Sequence, residues 1–346
     1  MSALGSLTHG GSDLEGLSLA PATRLSYSNA LRKFLSFAST SLDKLESRRS
    51  RSVDRLLTDF LNHLHRSGGS FTDGSHAVHG LIAALPHLQY KLPRSRRSLK
   101  GWDRHREHKS HPPLTWELTV TIALAMAAAG RDGHALCTLL AFDGYMRISE
   151  YTVHAKRGRA LRRRDIASAG DVRLGPLSSA MAVALRDTKT GPNRSFSVNS
   201  PAVAASLQDY LDAHRFSPDD IVFPFTHDQY RRSFHETTQR LGLASLGLVP
   251  HSLRHGGATR DFMLGRSIEQ IAHRGRWASV KSAGRYVQQG PALLLYNSVP
   301  AALVQAGRTL EPHLVACLRH LRSTVPAAAP HQLKRVRFGT DTPGRC

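Results

Sequence analysis

Two histidines and an arginine stand close together in the stretch HSLRH at residues 251–255. In a helix, His251 and His255 would lie one turn apart on the same face, a spacing that suits zinc. His251 and Arg254 would also share a face, and that combination suits a phosphate. The rest of the sequence has to decide between a metal site and a phosphate site.

The zinc interpretation has little support. Zinc enzymes with the H-E-x-x-H motif carry Glu after the first His, whereas this chain has Ser252. No third ligand stands out, although other histidines lie between His235 and His320. The cysteines are too few and too scattered for a cysteine-rich zinc site or a disulfide framework; they are Cys137, Cys317 and Cys346. We expect reduced thiols and no bound metal.

The phosphate interpretation gains support from the segments around this stretch. Residues suited to phosphate chemistry occur, in order, in GYMRISE (Arg147), DTKTG (Lys189), HSLRH (His251, Arg254) and GRWASVKSAGRYV (Trp277, Tyr286). Arg254 precedes Trp277 by 23 residues, and Tyr286 follows Trp277 by nine. Each residue alone would more simply be a surface or packing residue. The ordered set is a specific pattern.

With these segments in this order, the sequence resembles the tyrosine recombinase (phage-integrase) family, whose catalytic domain is similar to that of type IB topoisomerases. The family's active site has an Arg followed by I-x-E, a hairpin Lys, an H-x-x-R-H box, a His or Trp, and a Tyr nine residues later. The resemblance covers roughly residues 20 to 290. It implies a mainly α fold with a small β-sheet: a helical, core-binding-like N-terminal domain followed by an α+β catalytic domain.

The resemblance also implies roles for the residues. A tyrosine phenol forms a phosphotyrosine that a DNA hydroxyl can later reverse, and Tyr286 would be this nucleophile. Arg147 and Arg254 would hold the non-bridging phosphate oxygens bidentately, in place of a metal ion. Lys189, on a hairpin, would protonate the leaving 5′-oxygen. The family therefore needs no cofactor.

The remaining site residues would assist. His251 would manage the phenol proton or hydrogen-bond the phosphate, and Trp277 would donate its indole N–H to the phosphate. Glu150, one helical turn after Arg147, would orient an arginine or His255. His273 lies four residues before Trp277 and should not replace it.

The chain departs from the family pattern near two of these residues. Tyr145 and Met146 stand where the family more often has the Gly and Leu of TGLR, and the Arg-rich insertion HAKRGRALRRRD follows Arg147. The insertion leaves Arg194 and Lys156 as alternatives to Lys189.

The composition points to a polyanionic partner. Forty-seven Lys and Arg against 26 Asp and Glu give a formal net charge of +21, and neutralising phosphates releases counterions. An anionic membrane surface is the competing partner, but no 18-residue apolar run exists to span a bilayer. The first twenty residues lack the features of a secretory signal. We expect an intracellular, DNA-associated protein, nuclear if its host is a eukaryote.

The charge is concentrated in two places. KLPRSRRSLKGWDRHREHKSHPP predicts a basic helix leading into a linker, and the insertion after Arg147 adds a second basic run. A charge run is often only a solvated face, but this one adjoins a helical domain that is itself basic, which favours DNA contact. The residues expected to contact DNA are Arg94, Arg96, Arg97, Lys100, Arg162, Arg163 and Arg164.

Hydrophobic periodicity predicts the elements that position these residues. Tyr27, Leu31, Phe34 and Ala38 form a helical stripe, and Ser52 is a plausible N-cap for a second helix. A third helix should end near Pro86, and Thr115 should cap a buried helix that begins the second domain. MAVALRDTKTGPNRSFSV predicts a β-hairpin with Lys189 at its tip, and helices follow it.

These elements give a domain organisation. We expect a disordered N-terminus (residues 1–20), a helical DNA-binding domain (21–106), a linker (107–113), a catalytic domain (114–298), a C-terminal helix (299–323) and a disordered basic tail (324–346). The two domains would close around DNA as a basic clamp. The C-terminal helix either docks on a neighbouring protomer or packs on its own domain.

The sequence therefore predicts a site-specific DNA recombinase or integrase that cleaves and rejoins double-stranded DNA through a 3′-phosphotyrosine, without metal or ATP. Recombination usually involves four protomers, so a tetramer on DNA is expected. The GYMRISE variant is also similar to recombinases of eukaryotic mobile elements. Two alternatives stay open: an inactive DNA-binding protein derived from such an enzyme, and a DNA-relaxing enzyme similar to type IB topoisomerases.

Overall fold

The computed structural model describes residues 18–106, 111–153, 160–168, 181–188 and 191–327. The chain forms two compact units, residues 1–109 and 110–346. Most of the two expected disordered ends and the segment 107–110 of the expected linker lie outside the described residues. The mainly helical fold class with one small sheet is confirmed.

The first unit is entirely helical within its described residues. Leu31 and Phe34 of the predicted apolar stripe are fully buried, and they pack in one core with Leu57 and Leu81. Its helices are α1 Pro21–Phe37, α2 Leu42–Glu46, α3 Ser50–Arg66, α4 Phe71–Ala84 and α5 Pro93–His105, with a 3₁₀ turn at Pro86–Leu88.

One helix start of the first unit differs from the prediction, and another depends on a residue distant in the sequence. Ser52 is not an N-cap, because the N–H groups of Ser52 and Val53 already donate to the Arg49 carbonyl and close the first turn of α3. The basic helix α5 takes its cap from another helix. Asp54 is 2% exposed, and its carboxylate accepts from the N–H of Arg94 (2.9 Å), the N–H of Ser95 (2.9 Å) and the Ser95 hydroxyl (2.7 Å). A buried carboxylate at this end also compensates the helix dipole.

The second unit surrounds a larger core with eleven helices and a three-stranded sheet in its described part. The helices are α6 Trp116–Ala128, α7 Asp132–Asp143, α8 Ile148–Tyr151, α9 Pro201–His214, α10 His227–Arg240, α11 Pro250–Met263, α12 Ile268–Arg274, α13 Val280–Gly284, α14 Gln289–Ser298, α15 Ala301–Leu310 and α16 Leu314–Thr324. The strands are β1 Ile166–Ala167, β2 Ala182–Thr188 and β3 Gly191–Ser197. Short 3₁₀ turns occur at Arg163–Asp165, Ala244–Leu246 and Glu311–His313.

The centre of this unit is the pair α6 and α7, whose side chains are buried on nearly every face. Thr115 caps α6 as predicted, accepting from the Leu118 N–H at 3.3 Å. The sheet is antiparallel throughout, in the order β1, β2, β3. β2 and β3 form the predicted hairpin, in register from Ala182 opposite Ser197 to Thr188 opposite Gly191.

The C-terminal segment packs on its own unit, and it forms two helices, α15 and α16, where the sequence predicted one. α15 lies against α6, so closely that a Cβ atom on Gly307 would fall 2.1 Å from the Glu117 carbonyl oxygen. The Thr121 hydroxyl donates to the Leu303 carbonyl at 2.9 Å. Farther on, Arg322 of α16 pairs with Asp132 and Asp209. Among the described residues, no helix has the length and apolarity needed to cross a membrane.

Candidate functional site

The turn between α7 and α8 places Arg147. Tyr145 in this turn has a left-handed backbone (φ 46°), which is uncommon for a residue with a Cβ atom. Arg147 is the N-cap residue of α8, and its N–H donates to Glu150 Oε2 at 2.9 Å. Its guanidinium Nη1 pairs with Glu150 Oε1 at 2.8 Å. Glu150 thus orients Arg147, one of the two partners that the sequence proposed for it.

Helix α11 carries the HSLRH stretch and lies directly against this turn. Two glycines permit the close approach: a Cβ atom on Gly256 would fall 2.0 Å from the Leu114 carbonyl oxygen, and one on Gly257 would fall 2.1 Å from that of Phe142. Both contacts are with backbone, which cannot be moved aside as a flexible side chain can. The glycine pair therefore brings Arg254 and His255 to the Arg147 turn.

Arg254 is the largest fully buried side chain of the described structure. Its Nη1 donates to the Tyr145 carbonyl and its Nη2 to the Gly275 carbonyl at 2.9 Å. The guanidinium carbon lies 4.2 Å from the Trp277 ring centroid and 5.2 Å from that of Tyr286. Burial, and then the charge of Arg147, lower its pKa to about 9. At neutral pH the group is still a cation, covered by two aromatic rings.

The two histidines of α11 face the same tyrosine. The His255 ring stacks on Tyr286 with centroids 4.6 Å apart, and the His251 ring meets Tyr286 edge-on at 5.5 Å. Burial, together with the charge of groups such as Arg254, lowers the pKa of each imidazole to about 4. Both rings are therefore neutral at pH 7, and a neutral imidazole can accept a proton.

Tyr286 follows the short helix α13 and is half-buried. The Thr259 hydroxyl fixes its backbone: it donates to the Tyr286 carbonyl at 3.3 Å and accepts from the Gln288 N–H at 3.0 Å. Trp277 packs on Tyr286 with ring centroids 4.8 Å apart. Its indole Nε1 is buried and finds no hydrogen-bond partner among the described residues. A buried donor of this kind is costly unless a ligand satisfies it.

Sequence reasoning missed two arginines, Arg274 and Arg276, on either side of Gly275. Three consecutive carbonyls of the turn before Arg147 accept from three arginines. Arg274 Nη2 binds the Asp143 carbonyl (2.6 Å), Arg276 Nη1 binds that of Gly144 (3.1 Å), and Arg254 binds that of Tyr145. Carbonyls at the C-terminal end of a helix lack helical partners and carry its negative dipole end, so cations suit them. The signal in the sequence is RGRW, two arginines just before Trp277.

Several predicted site residues are not placed with this cluster. Lys189 and the alternative Lys156 lie outside the described residues. Arg194, the other alternative, is exposed on β3 opposite Leu185. His273 is exposed on α12, apart from the stacked rings, in keeping with the expectation that it does not replace Trp277.

The residues expected to contact DNA have different surroundings. Arg94, Arg96, Arg97 and Lys100 are exposed along α5, where Arg96 donates to the Gln89 carbonyl.

The three described arginines of the insertion hydrogen-bond or pair with neighbouring segments of the protein. Arg162 donates to the Asp219 carbonyl, Arg163 to that of Ile166 at 2.8 Å, and Arg164 pairs with the Asp219 carboxylate at 2.5 Å. These bonds leave less of each guanidinium for a partner than the sequence suggested.

Taken together, the site gathers cations beside an aromatic cluster. Arg147 and Arg276 pair with the buried carboxylate of Glu150, whose charge also acts on Arg254. The excess positive charge suits a phosphate. Within the described ranges, no group of three or more His, Cys, Asp or Glu side chains could hold a metal ion.

Comparisons with known proteins give the fold. No protein-family model matches the sequence, and no curated protein matches it. Solved structures do. A lambda integrase dimer bound to a COC′ core site has 15% sequence identity and a TM-score of 0.51, over 82% of this chain and 73% of that chain. XerH site-specific recombinase, in a post-cleavage complex with a palindromic difH substrate, has 14% identity and a TM-score of 0.50, over 76% of this chain and 75% of that chain.

The chain therefore shares the fold of these two structures, an integrase and a site-specific recombinase. Identities of this size establish the fold alone. Its activity has to be inferred from its own residues.

Proposed function

We propose that the protein is a DNA recombinase that cleaves and rejoins double-stranded DNA through a covalent 3′-phosphotyrosine at Tyr286. The single observation that carries the proposal is the convergence on Tyr286: His251, His255, Trp277 and Arg254 all lie within contact of its ring. A structural tyrosine needs none of these polar neighbours, whereas a nucleophile attacking a phosphodiester needs cations and a proton acceptor.

The proposed reaction is an in-line displacement. The Tyr286 phenolic oxygen bonds to the scissile phosphorus while the bond from phosphorus to the 5′-oxygen breaks, so the phosphodiester energy is kept in the new ester. The phenol proton passes to His251, which is neutral at pH 7 because its pKa is lowered to about 4. Anionic phosphate beside this imidazole would raise its pKa and make it a stronger base. Attack by a DNA hydroxyl on the phosphotyrosine reverses the steps.

The other residues would act on the phosphate and the leaving group. Arg147 and Arg254 stabilise charge on the non-bridging oxygens, and the unpartnered Nε1 of Trp277 supplies one further donor. The 5′-oxygen must be protonated as it leaves, and Lys189 is the residue that the family resemblance offers for this. The steps require no metal ion and no ATP.

The arrangement also requires a movement on binding. Arg254 has no exposed surface, because Trp277 and Tyr286 cover its guanidinium. The Tyr286 ring must therefore leave Arg254 when a phosphate arrives, which at the same time places the phenol in line with the leaving group. Tyr286 sits just after the five-residue helix α13 in a turn, where such a movement perturbs little of the core.

The positive charge of the chain supports DNA as its substrate. The chain carries a formal net charge of +21, and α5 presents the exposed cations Arg94, Arg97 and Lys100 along one helix. Lambda integrase and XerH were solved bound to their DNA sites, the former as a dimer. We propose DNA binding by several protomers, a tetramer being the number that exchange between two duplexes requires.

Covalent capture tests the proposal. The purified protein is incubated, in EDTA and without ATP, with a pool of nicked duplexes of randomised sequence and with sheared host genomic DNA. A protein–DNA adduct that survives denaturant and disappears after proteinase treatment is expected. Sequencing the DNA attached to the protein then gives the cleavage site.

The variant Tyr286→Phe should bind the same DNA and form no adduct. Tyr90→Phe is the matched control, because Tyr90 is a highly exposed tyrosine of the first unit and its loss should leave adduct formation unchanged. An adduct with Tyr286→Phe would show that another residue is the nucleophile. DNA binding without any adduct from the unaltered protein would indicate an inactive derivative, and relaxation of a plasmid that lacks the mapped site would indicate a topoisomerase-like enzyme.

A further inference from the structure

We infer that Arg276 is a positioning residue for Arg147: it acts through Glu150 and keeps the Arg147 guanidinium available to a phosphate. The inference rests on the proposed function and adds to it a residue that the family pattern does not contain. Arg276 directly precedes Trp277, and its side chain is 3% exposed. A buried guanidinium so close to the site, outside the recognised set, needs an explanation.

The contacts of Arg276 are with the protein rather than with open space. Its Nη1 donates to the carbonyls of Gly144 (3.1 Å) and Arg274 (3.2 Å). Its Nη2 donates to the same Gly144 carbonyl (3.1 Å) and to Glu150 Oε2 (3.2 Å). Both terminal nitrogens thus hydrogen-bond the turn before Arg147, and Nη2 also binds the Glu150 carboxylate after it. Arg276 thus contacts both the turn that places Arg147 and the carboxylate that pairs with it.

Glu150 is the group that links the two arginines. Its Oε1 accepts from Arg147 Nη1 at 2.8 Å, whereas its Oε2 accepts from Arg276 and from the Arg147 backbone N–H. Arginine and a carboxylate tend to form two parallel hydrogen bonds when both oxygens are available. Because Arg276 and the Arg147 backbone N–H together occupy Oε2, the Arg147 guanidinium pairs with Oε1 only. Without Arg276, we expect the Arg147 guanidinium to turn onto both oxygens and away from a phosphate.

Charge acts in the same direction. Arg276 and Arg147 share one negative charge, so Glu150 attracts each of them less strongly than it would attract a single partner. Removal of Arg276 would leave Arg147 largely neutralised by Glu150.

The backbone conformation of Arg276 is a second indication that its side-chain contacts matter. Its φ is 57°, in the left-handed region that favours glycine, and Tyr145, which accepts from Arg276 Nη2 at 3.4 Å, has a φ of 46°. Residues with a Cβ atom hold such conformations when the surrounding contacts over-determine them. Glycine at position 276 would fit the backbone more easily but would lose every side-chain contact.

Arg274 offers a matched control for structural effects. It also binds the turn before Arg147, through the Asp143 carbonyl (2.6 Å) and carboxylate (3.1 Å), and its Nη1 donates to the Ser197 carbonyl (2.9 Å). Its ion pairs are with Asp143 and Asp261. The two arginines thus stabilise the same turn, but only the contacts of Arg276 extend to Glu150.

Single-turnover cleavage of the mapped DNA site tests the inference. The scissile phosphate is used in its ordinary form and as a neutral methylphosphonate, which needs less charge stabilisation. Arg276→Gly should lower cleavage of the phosphodiester by about 100-fold, with little change in DNA affinity and a much smaller loss on the methylphosphonate. Arg274→Ala should reduce cleavage of the two substrates by equal factors. In an Arg147→Ala background, Arg276→Gly should cause no further loss.

Three results would overturn the inference. The first is cleavage by Arg276→Gly at the rate of the unaltered protein. The second is an equal loss of cleavage rate on the phosphodiester and the methylphosphonate. The third is a double variant with Arg147→Ala whose cleavage rate is reduced by the product of the two single losses. A crystal structure of Arg276→Gly gives a second test that needs no cleavage: Arg147 should bind both oxygens of Glu150, and an unchanged single contact would also refute the inference. If the unaltered protein forms no adduct, the proposed function fails, while this structural test still decides the role of Arg276.

Discussion

Gly257→Ala is the substitution that most directly tests how the fold builds the site. A Cβ atom at this position would fall 2.1 Å from the Phe142 carbonyl oxygen and 2.7 Å from the Tyr145 ring. Relief of the first contact requires about 1 Å of separation between α11 and the end of α7, because the opposing atom is backbone. Overpacking of this kind costs about 3 kcal/mol, and the better helix propensity of Ala returns about 1 kcal/mol. We expect a net loss of about 2 kcal/mol.

Thermal unfolding is the assay. A loss of about 2 kcal/mol should lower the Tm by about 4 to 8 °C in a unit of this size. The matched control is Gly290→Ala in the first turn of α14, where an added Cβ meets no atom within 4 Å, so that its Tm should stay equal or rise slightly. The same displacement should pull Arg254 from the Tyr145 carbonyl and reduce covalent capture of DNA. If Gly257→Ala melts like Gly290→Ala, the close approach does not organise the site.

Two further predictions concern stability. Asp54→Ala should destabilise the first unit by about 2 kcal/mol in urea unfolding, because it leaves the donors of Arg94 and Ser95 at the start of α5 without their buried acceptor. Asp54→Asn keeps one acceptor oxygen and should lose less stability. Equal losses in the two variants would contradict the capping role. The free energy of unfolding should also decrease as the pH is lowered from about 6.5 to 4. The pKa values of His251 and His255 are about 4 in the folded state and 6.5 in the unfolded state. The unfolded chain therefore binds more protons than the folded chain over this pH range. Each histidine should contribute a loss of about 1 kcal/mol after solvent screening, and His251→Gln should flatten the profile, whereas an unchanged profile would mean that His251 is not held neutral.

Local patterns predicted most of the elements. The stripe from Tyr27 to Ala38, the Thr115 cap and the alternation around the hairpin each depend on side chains within a few residues, and each corresponds to an element of the structure. Ser52 failed as a cap because helix starts depend on which carbonyl closes the first turn, and several nearby residues could do so. The cap of α5 comes from Asp54, 40 residues earlier. A local window does not include it.

The candidate site divides in the same way. Residue types and spacing in the sequence singled out Arg147, the HSLRH stretch, Trp277 and Tyr286, because the proposed phosphoryl transfer to a tyrosine calls for a limited set of groups. Only the tertiary structure decided that Arg254 is buried beneath the rings and that Arg274 and Arg276 bind the turn before Arg147. The contacts of Arg274 and Arg276 join residues about 130 positions apart. Arg254 reaches the same turn because two glycines let α11 approach backbone, and no local period encodes either condition.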